Sequence, residues 1–183
     1  MIRVLDVVLA LVGLVVAAPL MAVLWVLGWM ESRSPVFRQE RVGRYQRVFT
    51  LVKFRTMRLD TASVATHLAE SSSVTRLGGF LRKTKLDELP QLWNVLRGEM
   101  SLVGPRPCLP SQVELIAARE ARGVFAVRPG ITGLAQVNGV DMSDPERLVE
   151  MDAAMIGSLT LRDYFRYLVL TVTGKGSGDR IRG

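Results

Sequence analysis

The stretch Arg82-Lys83-Thr84-Lys85-Leu86-Asp87-Glu88-Leu89-Pro90-Gln91-Leu92-Trp93-Asn94 sets two adjacent carboxylates directly behind three cations. Leu89, Leu92, Trp93 and Leu96 recur at the spacing of one helix face. With Asp87 as N-cap, Pro90 falls in the first turn, where its missing N–H does no harm. Carboxylates at the positive end of a helix dipole stay ionised, and spare N–H groups beside cations hold a second anion such as a phosphate. Read alone, the same residues also describe a capping aspartate in a solvated charge cluster. Further on, Ser101-Leu102-Val103-Gly104-Pro105-Arg106-Pro107 fixes the backbone on both sides of Arg106, and a held guanidinium suits bidentate binding of phosphate or carboxylate. Lys53-Phe54-Arg55-Thr56-Met57 alternates cationic and apolar residues as a half-buried strand does. Residues 127–139 hold three glycines among small polar side chains, a loop that turns tightly or lets backbone approach a ligand.

These groups have to be positioned by a chain of 183 residues, enough for one domain or one domain with a small appendage. One cysteine, Cys108, rules out an intrachain disulfide and a cysteine-rich metal site, and the lone His67 rules out a multi-histidine zinc centre. The net charge of +7 favours anionic partners: nucleic acid, a phosphorylated substrate or lipid headgroups. Nucleic acid ranks last, because no recognition module is present and the basic residues are not interleaved with aromatics.

Val7 to Met30 is a run of 24 residues without a charge. About 20 apolar residues cross a bilayer as a helix. A signal peptide fits poorly, since its apolar region is about 7 to 15 residues long and Asp6 interrupts the basic leader. Pro19 near the middle predicts a kink, leaving two limbs of about 12 residues, or roughly 18 Å each at the helical rise. Composition permits a re-entrant hairpin or a kinked spanning helix. Basic residues on both flanks favour two cytoplasmic ends, and Trp25 and Trp29 suit an interface. Downstream, Val36–Val42 and Val48–Phe54 read as strands about a turn at residues 43–46, and residues 60–75 as a loop or short helix. Ser111 to Glu114 reads as a capping box opening a helix toward Gly123. A helix from Asp144-Pro145 through Met155 and another from Leu161 to about Thr171 follow, the second with Tyr164, Phe165, Tyr167, Arg162 and Arg166 suited to a headgroup surface, the aromatics equally to core packing.

The ordered set of motifs is specific: an apolar segment with a central proline, Lys53-Phe54-Arg55-Thr56-Met57, Leu86-Asp87-Glu88-Leu89-Pro90-Gln91, Gly104-Pro105-Arg106-Pro107 and Pro129-Gly130-Ile131-Thr132-Gly133. Over residues 1 to about 170 it resembles the bacterial sugar transferase family, the small monotopic phosphoglycosyl transferases. The resemblance implies an α/β fold: a compact membrane-associated domain with short strands and amphipathic interfacial helices. It divides the chain into a re-entrant membrane helix hairpin over 1–34, a catalytic domain on the cytoplasmic face of the bacterial inner membrane over 35–173, and a disordered tail over 174–183.

It further implies transfer of a sugar 1-phosphate from a UDP-sugar to polyprenyl phosphate, with UMP released. Asp87 is then the nucleophile, forming a covalent aspartyl phosphosugar, and the Mg²⁺ ligand, with Glu88 in support. Arg82 and Arg106 become phosphate clamps, with Lys53, Arg55 and Arg128 weaker candidates, and Thr132 and Gln136 line the donor site. The sequence departs from the family pattern at Ala18-Pro19, where Ser-Pro is common, at Val140 in place of a basic residue, and at Met155, three residues after Asp152, in place of an aromatic. The competing functional class is a catalytically silent, membrane-anchored basic adaptor. Neither the sugar nor the oligomeric state is legible.

Overall fold

The computed structural model describes residues 2–61 and 73–174. His67 and most of the Ser/Thr-rich stretch lie outside the described residues, as does the tail from residue 175.

Helix α1, Ile2–Ser32, is the one helix among the described residues long and apolar enough to cross a membrane. It runs through Pro19 as a single helix, so a hairpin of two separate limbs is not shown. A proline withdraws only one N–H from the ladder, and the turns on either side keep theirs. The first half of α1 packs through Ala10 and Leu9 into the main core, with Phe49, Leu51, Val95, Met100 and Tyr164. Its second half packs through Leu24 and Met21 against Phe54, Leu81 and Leu86.

Strands β1, Val36–Val42, and β2, Val48–Phe54, form the expected antiparallel hairpin, pairing Val36 with Phe54 and Val42 with Val48. The motif residues after Phe54 leave the strand, and only Met57 makes a further bridge, to Val74. Lys53 and Phe54 are consequently both buried, where continued alternation would have exposed one of them.

Helix α2, Arg76–Thr84, is capped by Thr75, whose Oγ1 accepts from the Gly78 N–H at 2.9 Å. Gly78 is required there: a Cβ would sit 2.0 Å from the Thr56 carbonyl oxygen, so α2 lies directly on the chain leaving β2. Helix α3, Gln91–Arg97, buries Gln91, Asn94 and Val95 and packs Leu92 and Leu96 on the main core but leaves Trp93 exposed, which removes Trp93 from the expected Leu89/Leu92/Trp93/Leu96 face. The reason is polar. Asn94 Nδ2 donates to the Thr50 carbonyl at 2.8 Å and the Val52 N–H donates to Asn94 Oδ1 at 3.1 Å, so a side-chain amide joins α3 to β2.

Strands β3, Ser101–Val103, and β4, Gly130–Thr132, pair in parallel. Helices α4, Val113–Ala121, α5, Leu134–Val137, α6, Pro145–Ser158, and α7, Leu161–Val172, complete the body. The Ser111 capping box does not form: Gln112 occupies the cap, and its Oε1 accepts from the Leu109 N–H at 2.9 Å. Asp144 does cap α6, and α7 opens on a capping box of Thr160 and Asp163.

One contact set without a local sequence signal fastens α1. Buried Asp6 accepts from Ser101 Oγ at 2.9 Å, from the Leu102 N–H at 3.0 Å and from the Tyr164 hydroxyl at 2.8 Å. Asp6→Ala leaves those three donors unpaired in the core, and we expect it to cost about 2–4 kcal/mol. Thermal unfolding in detergent checks this against Asp60→Ala at an exposed carboxylate; equal melting temperatures would remove Asp6 as an anchor.

Candidate active site

Asp87 is placed by the way α2 ends. Lys85 adopts the left-handed conformation (φ 58°, ψ 16°), its N–H bonds back to the Arg82 carbonyl, and the chain enters a short 3₁₀ turn over Leu86–Glu88. Asp87 therefore lies in this turn and is not the N-cap of α3, a position that Pro90 takes without a side-chain cap. The turn is held from below by apolar neighbours: Phe54 follows Lys53, Leu81 precedes Arg82, Leu86 precedes Asp87, and all three pack with Leu24 of α1. One cluster thus registers three polar candidates against each other.

Asp87 is only 6% exposed. Burial pushes its carboxyl up to about 6, and the Glu88 carboxylate beside it pushes the same way. The charges of Lys53, Arg82 and Arg106 oppose both effects. Arg106 Nη2 donates to Glu88 Oε1 at 2.9 Å with both groups largely buried, so Glu88 links the Asp87 turn to the Pro-Arg-Pro turn. Arg82 Nη1 donates to Thr56 Oγ1 at 3.4 Å, and Lys53 is buried with its ammonium over the Phe37 ring. Lys85 also approaches; burial lowers its pKa, against the pull of Glu88.

The turn carrying Arg106 is braced through its backbone. The Gly130 N–H donates to the Pro105 carbonyl at 2.8 Å and the Val42 N–H to the Cys108 carbonyl at 2.9 Å. A Cβ on Gly104 would meet the Arg128 carbonyl oxygen at 2.5 Å, so glycine lets the two motif loops touch. Arg41 Nη1 donates to the Pro107 carbonyl at 3.1 Å, and Arg119 Nη1 to the Arg106 carbonyl at 2.8 Å. Arg119 is in turn paired with buried Asp152 at 2.6 Å. Sequence reasoning counted Arg41 only among the basic residues flanking the apolar run, gave no role to Arg119, and noted Asp152 only for its spacing from Met155. These contacts are long-range, and no local pattern signals them.

Of the candidates, the structure gathers Lys53, Arg82, Glu88 and Arg106 about Asp87. The others are engaged elsewhere. Arg55 donates to the Ser34 carbonyl at 2.8 Å and ties the end of α1 to the strand. Arg128 Nε donates to the Gly98 carbonyl at 2.8 Å. Thr132 is buried against the Thr171 hydroxyl, and Gln136 Nε2 donates to the Gly104 carbonyl at 3.4 Å.

Among the described residues no group of three or more His, Cys, Asp or Glu side chains could hold a metal. Mg²⁺ does not need one, since it binds through one or two carboxylates, substrate phosphates and water. Asp87 and Glu88 match that sparse donor set, and the upward push of Glu88 on Asp87 is the repulsion that a bound cation would relieve.

The family model described as bacterial sugar transferase matches residues 1–175. An undecaprenyl-phosphate galactose phosphotransferase of Salmonella typhimurium is 34% identical over 87% of this chain and 37% of its own. A UDP-glucose:undecaprenyl-phosphate glucose-1-phosphate transferase of Caulobacter vibrioides is 46% identical over 75% of this chain and 54% of its own. An uncharacterized sugar transferase of Bacillus subtilis is 41% identical over 78% of this chain and 71% of its own. The chain thus spans about half or less of the first two.

A carboxyl raised by burial is cheapest to keep protonated, so the folded protein loses stability as pH rises through about 6. Asp87→Asn should therefore be more stable than the parent at pH 7.5 in chelator, by on the order of 1–3 kcal/mol, and equal to it below about pH 4. Melting curves at the two pH values decide it; a pH-independent difference would remove the buried-carboxylate reading.

Proposed function

The chain belongs to the bacterial sugar transferase family, and on that footing we propose that it moves a sugar 1-phosphate from a UDP-sugar to undecaprenyl phosphate. The observation that carries this reading is a buried carboxylate, Asp87, faced by cations from three separate segments: Lys53, Arg82 and Arg106. The names of the Salmonella and Caulobacter relatives supply the substrate class.

In the first step an Asp87 oxygen attacks the phosphorus that bears the sugar. A carboxylate–phosphorus bond forms, the bond from that phosphorus to the bridging oxygen breaks, and UMP leaves with the electron pair. In the second, an oxygen of the lipid phosphate attacks the same phosphorus. The acyl phosphate bond breaks, restoring the Asp87 carboxylate and giving the polyprenyl diphosphate sugar. Phosphoryl transfer asks mainly for positioning and neutralisation of spread negative charge. Lys53 and Arg82 supply that charge from β2 and α2, respectively. Arg106 supplies it from a braced turn, steered by Glu88. Mg²⁺ held by Asp87, with Glu88 beside it, would add Lewis-acid neutralisation of the donor phosphates.

For the membrane we propose a re-entrant placement, with both ends of α1 at the cytoplasmic face of the inner membrane. It is supported by where those ends are tied. Arg3 donates to the Val95 and Leu96 carbonyls at 2.7 and 3.1 Å, and Asp6 joins β3 and α7. At the far end the Leu77 N–H donates to Glu31 and Gly28 packs on Pro35. A helix fastened at both ends to one polar body has its ends on one side of a bilayer.

Two measurements test the proposal. Donor alone should convert the parent to a species heavier by one sugar phosphate on Asp87, seen by peptide mass spectrometry, and Asp87→Asn should lose UMP release with undecaprenyl phosphate by at least about 10³-fold. Wild-type turnover by Asp87→Asn would end the covalent mechanism, and a parent that releases no UMP would leave the silent adaptor. Separately, Ile2→Cys should resist an impermeant thiol reagent in intact cells; labelling from outside would establish a full span.

A further inference from the structure

A cavity of about 300 Å³ opens at the start of α1, lined by Arg3, Arg44 and Arg128 with Asp6 as its only carboxylate. Gly104 and Pro105 also line it, but Arg106 does not, because its side chain turns to Glu88. Arg44 lies beyond the tip of the β1–β2 hairpin, and Lys53 lies five residues along β2 from Val48 at that tip, or about 17 Å at the strand rise. None of Lys53, Arg82, Asp87, Glu88 and Arg106 lines the cavity, which borders the Asp87 cluster only through the Gly104-Pro105 backbone.

Each guanidinium is pinned by backbone with nitrogen to spare. Arg44 Nε donates to the Ala126 carbonyl at 2.8 Å and stacks over Tyr45, and Arg128 Nε donates to the Gly98 carbonyl at 2.8 Å. The terminal nitrogens of Arg44 and Arg128 make no hydrogen bond among the described residues. Arg3 reaches the Val95 and Leu96 carbonyls with its two terminal nitrogens, leaving its Nε and the second hydrogen on each. Asp6 makes no ion pair with them, its oxygens accepting from Ser101, the Leu102 N–H and Tyr164, and it can offset only one of the three charges. Three held forks against one carboxylate leave the pocket cation-rich, and planar guanidinium groups match phosphate oxygens. Apolar wall is supplied by Ile2 and Ile156.

We infer that this cavity is a second phosphate-binding site, independent of sugar transfer, which takes the phosphate of an anionic glycerophospholipid or a free phosphate. Position favours the lipid: Arg3 and Ile2 open the apolar helix, at the depth where headgroups meet the protein. An occupant there would fix the first turn of α1 against β3.

The test uses purified full-length protein in neutral detergent without UDP-sugar or acceptor, so that its outcome does not depend on transfer. The probes are dihexanoyl-phosphatidylglycerol, inorganic phosphate and dihexanoylglycerol, read by isothermal titration and by shift in melting temperature. Phosphatidylglycerol should bind and dihexanoylglycerol should not. Arg44→Gln should weaken binding at least about fivefold, while Arg47→Gln, which removes the same charge from the same hairpin outside the cavity, should match the parent. Inorganic phosphate binding as tightly as the lipid supports the site with a free anion as its ligand; much weaker binding supports the lipid headgroup. Equal loss in Arg44→Gln and Arg47→Gln, or no binding of either phosphate probe, would overturn the inference.

Discussion

Leu24 of α1, Phe54, Leu81 and Leu86 meet in a small apolar cluster, and the polar centre depends on that meeting. Each of the last three is the chain neighbour of a charged residue: Lys53, Arg82 and Asp87. Their side chains cannot settle into the cluster without bringing those charges to one place above it. The long apolar helix α1 is therefore a structural member of the site. The arrangement is demanding because Asp87 is dry and next to another carboxylate, and both facts favour the neutral acid. The cations that oppose them come from a strand, a helix and a turn, so the ionised form is tuned by tertiary structure.

Arg106 is the most heavily supported of those cations. Its backbone carbonyl accepts from Arg119, which Asp152 pairs at 2.6 Å, and the next carbonyl accepts from Arg41. Burying an ion pair contributes little net stability and often less than an apolar replacement would. Breaking one is another matter, because the surviving charge is left in the core. A buried pair used in this way specifies position. The long Arg106 side chain then starts from a fixed carbonyl and ends on Glu88, leaving it fewer rotamers to lose when an anion arrives.

The parts of the fold that were legible are those whose signal is local. The hairpin over Val36–Phe54 follows from alternation around a polar turn, and α6 and α7 follow from Asp144-Pro145 and from apolar spacing after Leu161, although Tyr164 and Tyr167 go to the core while Phe165 stays exposed. The errors came where a polar side chain took a buried role. Asn94 bonds β2, so α3 rotates to bury Gln91 and Asn94 and exposes Trp93. Lys85 enters the left-handed region, so the chain turns before Asp87 can cap anything. Asp6 looked like a flaw in a leader and is a three-donor anchor. At the site, Asp87, Glu88, Arg82 and Arg106 were readable because charge and proline are visible in sequence. Which of Lys53 and Arg55 faces Asp87 was not, because the strand ends between them.

The surface of α1 carries the remaining constraint. Its polar contacts are confined to its ends, while Val15 and Val16 in the middle are 67% and 75% exposed. Apolar area of that extent is unstable in water and stable in lipid. Phe80 on α2, Trp93 on α3, and Phe165, Val169 and Val172 along α7 are exposed as well. The last three recur at helical spacing, opposite buried Tyr164 and Tyr167, which gives α7 one core face and one face suited to an interface. A reaction between a water-soluble donor and a lipid phosphate needs its carboxylate at the depth of the headgroups. Leu24 of the same apolar helix α1 seats the Asp87 turn, so on the proposed reading one element would set both the depth of insertion and the position of the attacking carboxylate.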